Sequence, residues 1–109
     1  MKVEPLYQAL KKSQEAKGAY FNKDKDLVFE LLDALILNKD RYGYMACPCR
    51  LACGDREKDK DIICPCVYRE PDMKEFGACF CGLYVSEAVN NNQAQAEYVP
   101  ERRPPEKLF

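Results

Sequence analysis

The chain contains no histidine among its 109 residues. That absence excludes His-ligated zinc and haem, iron sites built from two histidines and a carboxylate, and any nucleophile activated by an imidazole. A basic surplus is missing as well: 17 Lys and Arg stand against 18 Asp and Glu, for a net charge of −1. Nucleic-acid binding needs a basic surplus or stripe. Arg102 and Arg103 supply only a short basic pair beside prolines. No nucleic-acid partner is therefore expected. No apolar run approaches the roughly 20 residues that span a bilayer, so no membrane segment is expected. The start, Met1-Lys2-Val3-Glu4-Pro5, leads into no apolar h-region, so a secretory leader is not expected either. These absences point to the cytoplasm. There thiols stay reduced, a disulfide scaffold is disfavoured, and metal-binding or catalytic cysteines are favoured.

Cysteine is what the chain has in excess. Six of its seven cysteines form three Cys-x-Cys pairs: Cys47-Pro48-Cys49, Cys64-Pro65-Cys66 and Cys79-Phe80-Cys81. Cys53 stands alone. Such a segment binds metal, does redox chemistry or forms a disulfide framework. Structural zinc uses four thiolates, usually spaced Cys-x2-Cys to Cys-x4-Cys, which would leave three of these thiols without a role. An iron–sulfur cluster also takes four thiolates. Proline after Cys47 and Cys64 fixes the backbone for a sharp turn around a bulky group. Two paired cysteines then remain, the number a redox-active disulfide needs. Such a disulfide beside a one-electron centre would collect single electrons into a two-electron dithiol. Cu(I) storage is chemically compatible with soft thiolates, but nothing else in the sequence supports it.

Length allows one domain, 1–109: a helical N-terminal part (1–45), a cysteine-rich segment (46–85) and a C-terminal tail (86–109). A domain this small gains from a metal centre that ties it together. Pro5 suits a first helical turn, Leu6, Tyr7 and Leu10 give a weak apolar stripe, and Gly18 ends the helix. Between Asn22 and Arg41, Leu27, Val28, Leu31, Leu32, Leu35 and Ile36 recur at helical spacing, with Asn22 or Asp24 as cap and Gly43 as breaker. That helix reads as core. The run from Gly54 to Asp61 alternates in charge and reads as a solvated face, with Asp55 capping a short helix. Pro71 and Gly77 bracket another short helix, Gly82–Val85 suits an extended segment, Asn90–Asn92 a turn, and the tail from Pro100 is extended and docked.

The three ordered pairs resemble those of the catalytic (beta) subunit of ferredoxin–thioredoxin reductase and its archaeal and bacterial ferredoxin–disulfide reductase relatives. The family pattern, Cys-Pro-Cys-Arg, Cys-Pro-Cys and Cys-His-Cys, stands here as Cys47-Pro48-Cys49-Arg50, Cys64-Pro65-Cys66 and Cys79-Phe80-Cys81. Likeness extends through Tyr20-Phe21-Asn22 and the Asp24–Asp40 helix upstream, and Gly82-Leu83-Tyr84 downstream, covering roughly residues 3 to 90. The resemblance implies a small, mainly α-helical domain wrapped around a [4Fe-4S] cluster. It implies Cys47, Cys64, Cys66 and Cys79 as the cluster ligands, and Cys49 and Cys81 as the redox-active disulfide. Cys49 would be the attacking thiol and Cys81 its cluster-facing mate. The implied activity is an iron–sulfur disulfide reductase, passing single electrons from ferredoxin or a similar carrier to thioredoxin or a thioredoxin-like protein. A small variable subunit is a further candidate partner. A zinc-stapled interaction module and a cluster-only electron-transfer protein are the alternatives.

Three departures accompany the resemblance. Phe80 replaces the family histidine and cannot exchange a proton, leaving water or Tyr44, Tyr68 or Tyr84 to substitute. Cys53 has no counterpart; its type favours a small buried hydrophobe, with an extra exchange thiol as the functional reading. The spacing from the second pair to the third exceeds that of plant-type enzymes. Arg50 reads either as a cation lowering the pKa of Cys49 or as a surface arginine.

Overall fold

A computed structural model describes residues 2–50 and 52–107, without the Lys107 side chain. Met1, Leu51, Leu108 and Phe109, which the 1–109 domain expectation includes, lie outside the described residues. In chain order come α1 (Val3–Glu15), β1 (Tyr20–Phe21), α2 (Lys25–Tyr42), α3 (Arg56–Asp59), α4 (Arg69–Phe76), β2 (Tyr84–Val85) and α5 (Glu87–Asn90). Short 3-10 turns occupy Lys60–Ile62 and Pro105–Lys107. About half of the chain is helical, so the helical expectation holds in this coarser form.

Local chemistry sets the ends of these helices. Pro5 lies in the first turn of α1, where its missing amide costs nothing. The Asp24 carboxylate caps α2 by accepting from the Leu27 amide at 3.1 Å, and Gly43 closes the helix at φ +85°. A side chain at that φ would be strained. Asp55 caps α3 by accepting from the Glu57 and Lys58 amides. Gly77 closes α4 at φ +86°.

The main core lies between α1, α2 and the antiparallel pair β1–β2, where Tyr20 faces Val85 and Phe21 faces Tyr84. Val28, Leu32 and Leu35 from α2 are fully buried there with Leu83. Each such side chain contributes about 1.5–3 kcal/mol of hydrophobic stabilisation. Tyr7 stacks on Phe21 at 4.9 Å between ring centroids, and Phe21 stacks on Tyr84 at 5.3 Å. That stack runs from α1 to the strand that follows the third cysteine pair. A second, smaller core gathers Tyr44, Ala46, Cys47 and Ile62. The cysteine-bearing loops sit on both.

One sequence expectation fails here. Gly54–Asp61 is not wholly a solvated face: Asp59 and Asp61 are buried. Tyr44 and two backbone amides turn Asp59 inward, and Tyr68 and Arg103 hold Asp61. Charge density predicts exposure only where no partner waits inside.

Candidate functional site

Hydrogen bonds fix the position of each of the three cysteine pairs. The Cys47 amide donates to the Ile62 carbonyl at 2.7 Å, and the Cys64 amide to the Met45 carbonyl at 2.8 Å. These two bonds clamp the first pair to the second. Asn38 on α2 donates to the Ala46 carbonyl at 2.7 Å and fixes the clamp to the main core. A tight turn makes the third pair: the Gly82 amide donates to Cys79 O, and the Cys79 amide to Tyr84 O. Asn22 pins this turn by donating its side-chain amide to the Gly82 carbonyl at 2.9 Å.

A narrow pocket, partly open to solvent, results. Cys47, Cys64, Cys66, Cys79 and Cys81 line it, with Arg50, Pro65, Arg69, Phe80 and Tyr84. All four expected ligands are therefore in one wall. Cys49 is not in that wall and is exposed. The Cys81 thiol connects the two groups. Its Sγ lies 3.8 Å from that of Cys79, within hydrogen-bond reach, and it interacts electrostatically with the thiols of Cys47 and Cys49. Among the described residues, no three Cys, Asp or Glu side chains close on a single ion.

Electrostatics divides these thiols. Interaction with the Cys81 thiol depresses three others: Cys47 to about 6, Cys79 to about 7, and Cys49 downward from the usual thiol range. Arg50 adds to the depression of Cys47. Cys81, buried beside these thiols, is pushed up strongly. Burial pushes up Cys64 and Cys66, partly offset by Arg69 at Cys64 and by Arg50 at Cys66. A lowered thiol is a better nucleophile near neutral pH because the thiolate attacks. Cys49 combines that property with exposure.

Arg50 is no surface residue. It is buried and donates towards Cys66 Sγ at 3.4 Å and Cys47 Sγ at 3.8 Å, and bidentately to Glu101 at 2.8–3.0 Å. Its guanidinium lies 4.6 Å from the Phe80 ring centroid and 5.1 Å from that of Tyr68. Phe80 thus packs a π face against the cation that touches two thiols. Cys53, expected as a small buried hydrophobe, is exposed, and its thiol donates to Asp59 Oδ1 at 3.3 Å.

Of the three tyrosines weighed as substitutes for a histidine, two are engaged elsewhere. The Tyr44 hydroxyl donates to Asp59 and that of Tyr68 to Asp61. Tyr84 lines the pocket, and its buried hydroxyl has no partner among the described residues. Sequence reasoning missed Arg69 and Glu101. Arg69 follows Cys66 by three residues, and its amide donates to the Cys66 carbonyl, so its nearness to the pair was a readable signal. Glu101 meets Arg50 across 51 positions, and no local pattern announces that.

A pocket walled by thiols, with a further exposed thiol two residues from Cys47, defines a small thiol-centred protein. The comparisons with known proteins name the group. The model of the ferredoxin thioredoxin reductase catalytic beta chain matches residues 1–102, and the chain belongs to that family. A relative from Porphyra purpurea, "Ferredoxin-thioredoxin reductase, catalytic chain", is 31% identical over 74 residues. The match covers 63% of this chain and 57% of that relative.

Proposed function

We propose that this chain is an iron–sulfur disulfide reductase that takes single electrons from ferredoxin or a similar small carrier. It delivers them in pairs to the disulfide of thioredoxin or a thioredoxin-like protein. Cys47, Cys64, Cys66 and Cys79 would hold a [4Fe-4S] cluster, and Cys49 with Cys81 would be the exchange pair. The single observation that carries this reading is the division of the thiols. The four family ligand positions line one pocket, whereas Cys49 is exposed outside that wall and Cys81 lies in it.

The wall suits the group. Its donor set is soft and anionic when deprotonated. The sulfurs of Cys47, Cys66 and Cys79 already receive hydrogen bonds, from Arg50 and from the Tyr84 amide at 3.3 Å. Such bonds are a known lever on cluster potential. Arg69 Nε and the Tyr84 hydroxyl, both in buried wall residues, lack acceptors, as a pocket built for an acceptor-rich occupant requires. When bound, the cluster supplies a one-electron centre beside the dithiol.

The protein side of the exchange follows from position. Cys49, exposed and with its pKa lowered, attacks one sulfur of the target disulfide. A Cys49–target bond forms, the target S–S bond breaks, and the second target sulfur leaves as thiolate. The Cys81 thiol gives up its proton and attacks Cys49 Sγ. This closes a Cys49–Cys81 disulfide and releases the reduced target. Two electrons from the carrier, taken one at a time, and two protons restore the dithiol.

Anaerobically purified protein is expected to be brown, with broad absorbance near ~400 nm and about four irons and four sulfides per chain. C49S and C81S are expected to keep the iron and lose dithiol exchange, and C64A to lose the iron. A colourless, zinc-loaded protein would sink the reading in favour of a zinc-stapled module. An iron-loaded protein with no reducible Cys49–Cys81 pair would leave a cluster-only electron carrier.

A further inference from the structure

Arg69 opens α4 and is only 5% exposed. A guanidinium keeps its charge in any protein environment, and a buried charge without a counter-ion costs several kcal/mol. The chain compensates its other buried arginines: Glu101 faces Arg50, and Asp61 and Asp59 face Arg103. No carboxylate of the described residues lies within salt-bridge distance of Arg69. It donates from Nη1 to the neutral Oε1 of Gln14, and its guanidinium lies 5.0 Å from the Tyr84 ring centroid. Its Nε is buried without an acceptor, and so is the Tyr84 hydroxyl. Both residues line the thiol pocket with Cys64, Cys66 and Cys79.

One buried cation lacking an anion, and two buried donors lacking acceptors, therefore belong to one wall. A pocket occupant that is anionic and rich in acceptors removes all three costs. We propose that Arg69 is the counter-charge of the cluster and that the Tyr84 hydroxyl donates a hydrogen bond to it or to one of its thiolates, the two together setting its reduction potential. This rests on the functional reading above and deepens it. Arg50 spends much of its charge on Glu101, so Arg69 is the stronger lever. An added electron is stabilised by a fixed cation in a low-dielectric wall, so deleting the cation makes reduction harder.

The test uses the holoprotein with C49S and C81S introduced throughout, so that only the one-electron centre titrates. Into that background go R69M, R69K and Y84F, prepared anaerobically. Iron content is measured, and the reduction equilibrium is followed by absorbance against dye mediators. R69M is expected to shift the equilibrium towards the oxidised form at least tenfold, about 59 mV more negative for a one-electron couple. R69K should recover most of that shift, and Y84F should move the same way by less. Iron lost in R69M but kept in R69K also supports the proposal, because charge is then what the site requires. R69M titrating like its parent overturns it. So does loss of iron or fold in R69M and R69K alike, which would assign Arg69 to packing. An iron-free parent protein is a different failure: it removes the functional reading itself.

Discussion

Asp59 holds its charge with no exposure to water. Its carboxylate accepts from the Tyr44 hydroxyl, the Cys53 and Gly54 amides and the Cys53 thiol, and Arg103 lies 3.7 Å away. Burial alone would raise its pKa, but these bonds outweigh burial and lower it. Asp61 is lowered in the same way, against burial, by Tyr68 and Arg103. Groups bound as carboxylates in the fold stabilise it above their unfolded pKa, near ~4. That stability is lost as pH falls through the lower folded values. Acid is therefore expected to unfold the protein below about pH 4, and D59N should flatten this limb. At neutral pH D59N is expected to cost about 3 kcal/mol, since hydrogen bonds to a charged group contribute ~1.5–3 kcal/mol each and Asn keeps some of them. Urea denaturation of both forms at pH 7 and across the acid range checks this; parallel acid limbs would contradict it. The sequence hid this site because a charged run looks solvated wherever its partners are distant. Tyr44 lies 15 positions away and Arg103 lies 42 from Asp61.

At the scale of elements, most helix ends were readable because their causes are local. Asp24, Gly43, Asp55 and Gly77 act within one turn of the helix each bounds. The two terminal glycines differ in their surroundings. A Cβ on Gly43 meets nothing within 4 Å, whereas one on Gly77 would meet Val89 Cγ2 at 2.9 Å and Ala96 Cα at 3.4 Å. G43A is thus expected to cost only the left-handed backbone conformation, about 1–2 kcal/mol. G77A should cost at least about 1 kcal/mol more, as overpacking does. Equal melting points for the two variants would refute the difference. The tail was legible only as docked. Three consecutive residues there reach three places: Glu101 holds Arg50, Arg102 holds Asp72 and Glu75, and Arg103 holds Asp61. Glu101 thereby steadies the guanidinium that touches two of the thiols. E101Q removes the charge facing Arg50 and is expected to cost about 1–3 kcal/mol, measured as a lowered urea midpoint. No loss would mean that Arg50 finds its support elsewhere.

Over the whole molecule, which measures 39 × 32 × 22 Å, two cores of unequal strength share one thiol pocket. The larger is built on α1, α2 and the β1–β2 pair, and its apolar spacing along α2 was plain in the sequence. The smaller has four buried members, Tyr44, Ala46, Cys47 and Ile62, joined by non-local bonds that no periodicity encodes. The three cysteine pairs were legible as one centre. The support of Arg50 was not, because Glu101 reaches it across 51 positions of the chain. With the cluster proposed above in the pocket, this inequality predicts how the protein opens when a chelator withdraws the iron. Binding energy at a site that forms only in the folded state is folding energy. The smaller core has little hydrophobic area to replace it. Anaerobic chelation is therefore expected to abolish amide-exchange protection first at Ala46, Cys47 and Cys64. Protection of Leu31, Leu32 and Leu35 in α2 should persist, as expected when a weakly packed unit opens below the global transition. Exchange that rises equally in both regions on chelation would show that the cores unfold as one unit and that the pocket is not where they are joined.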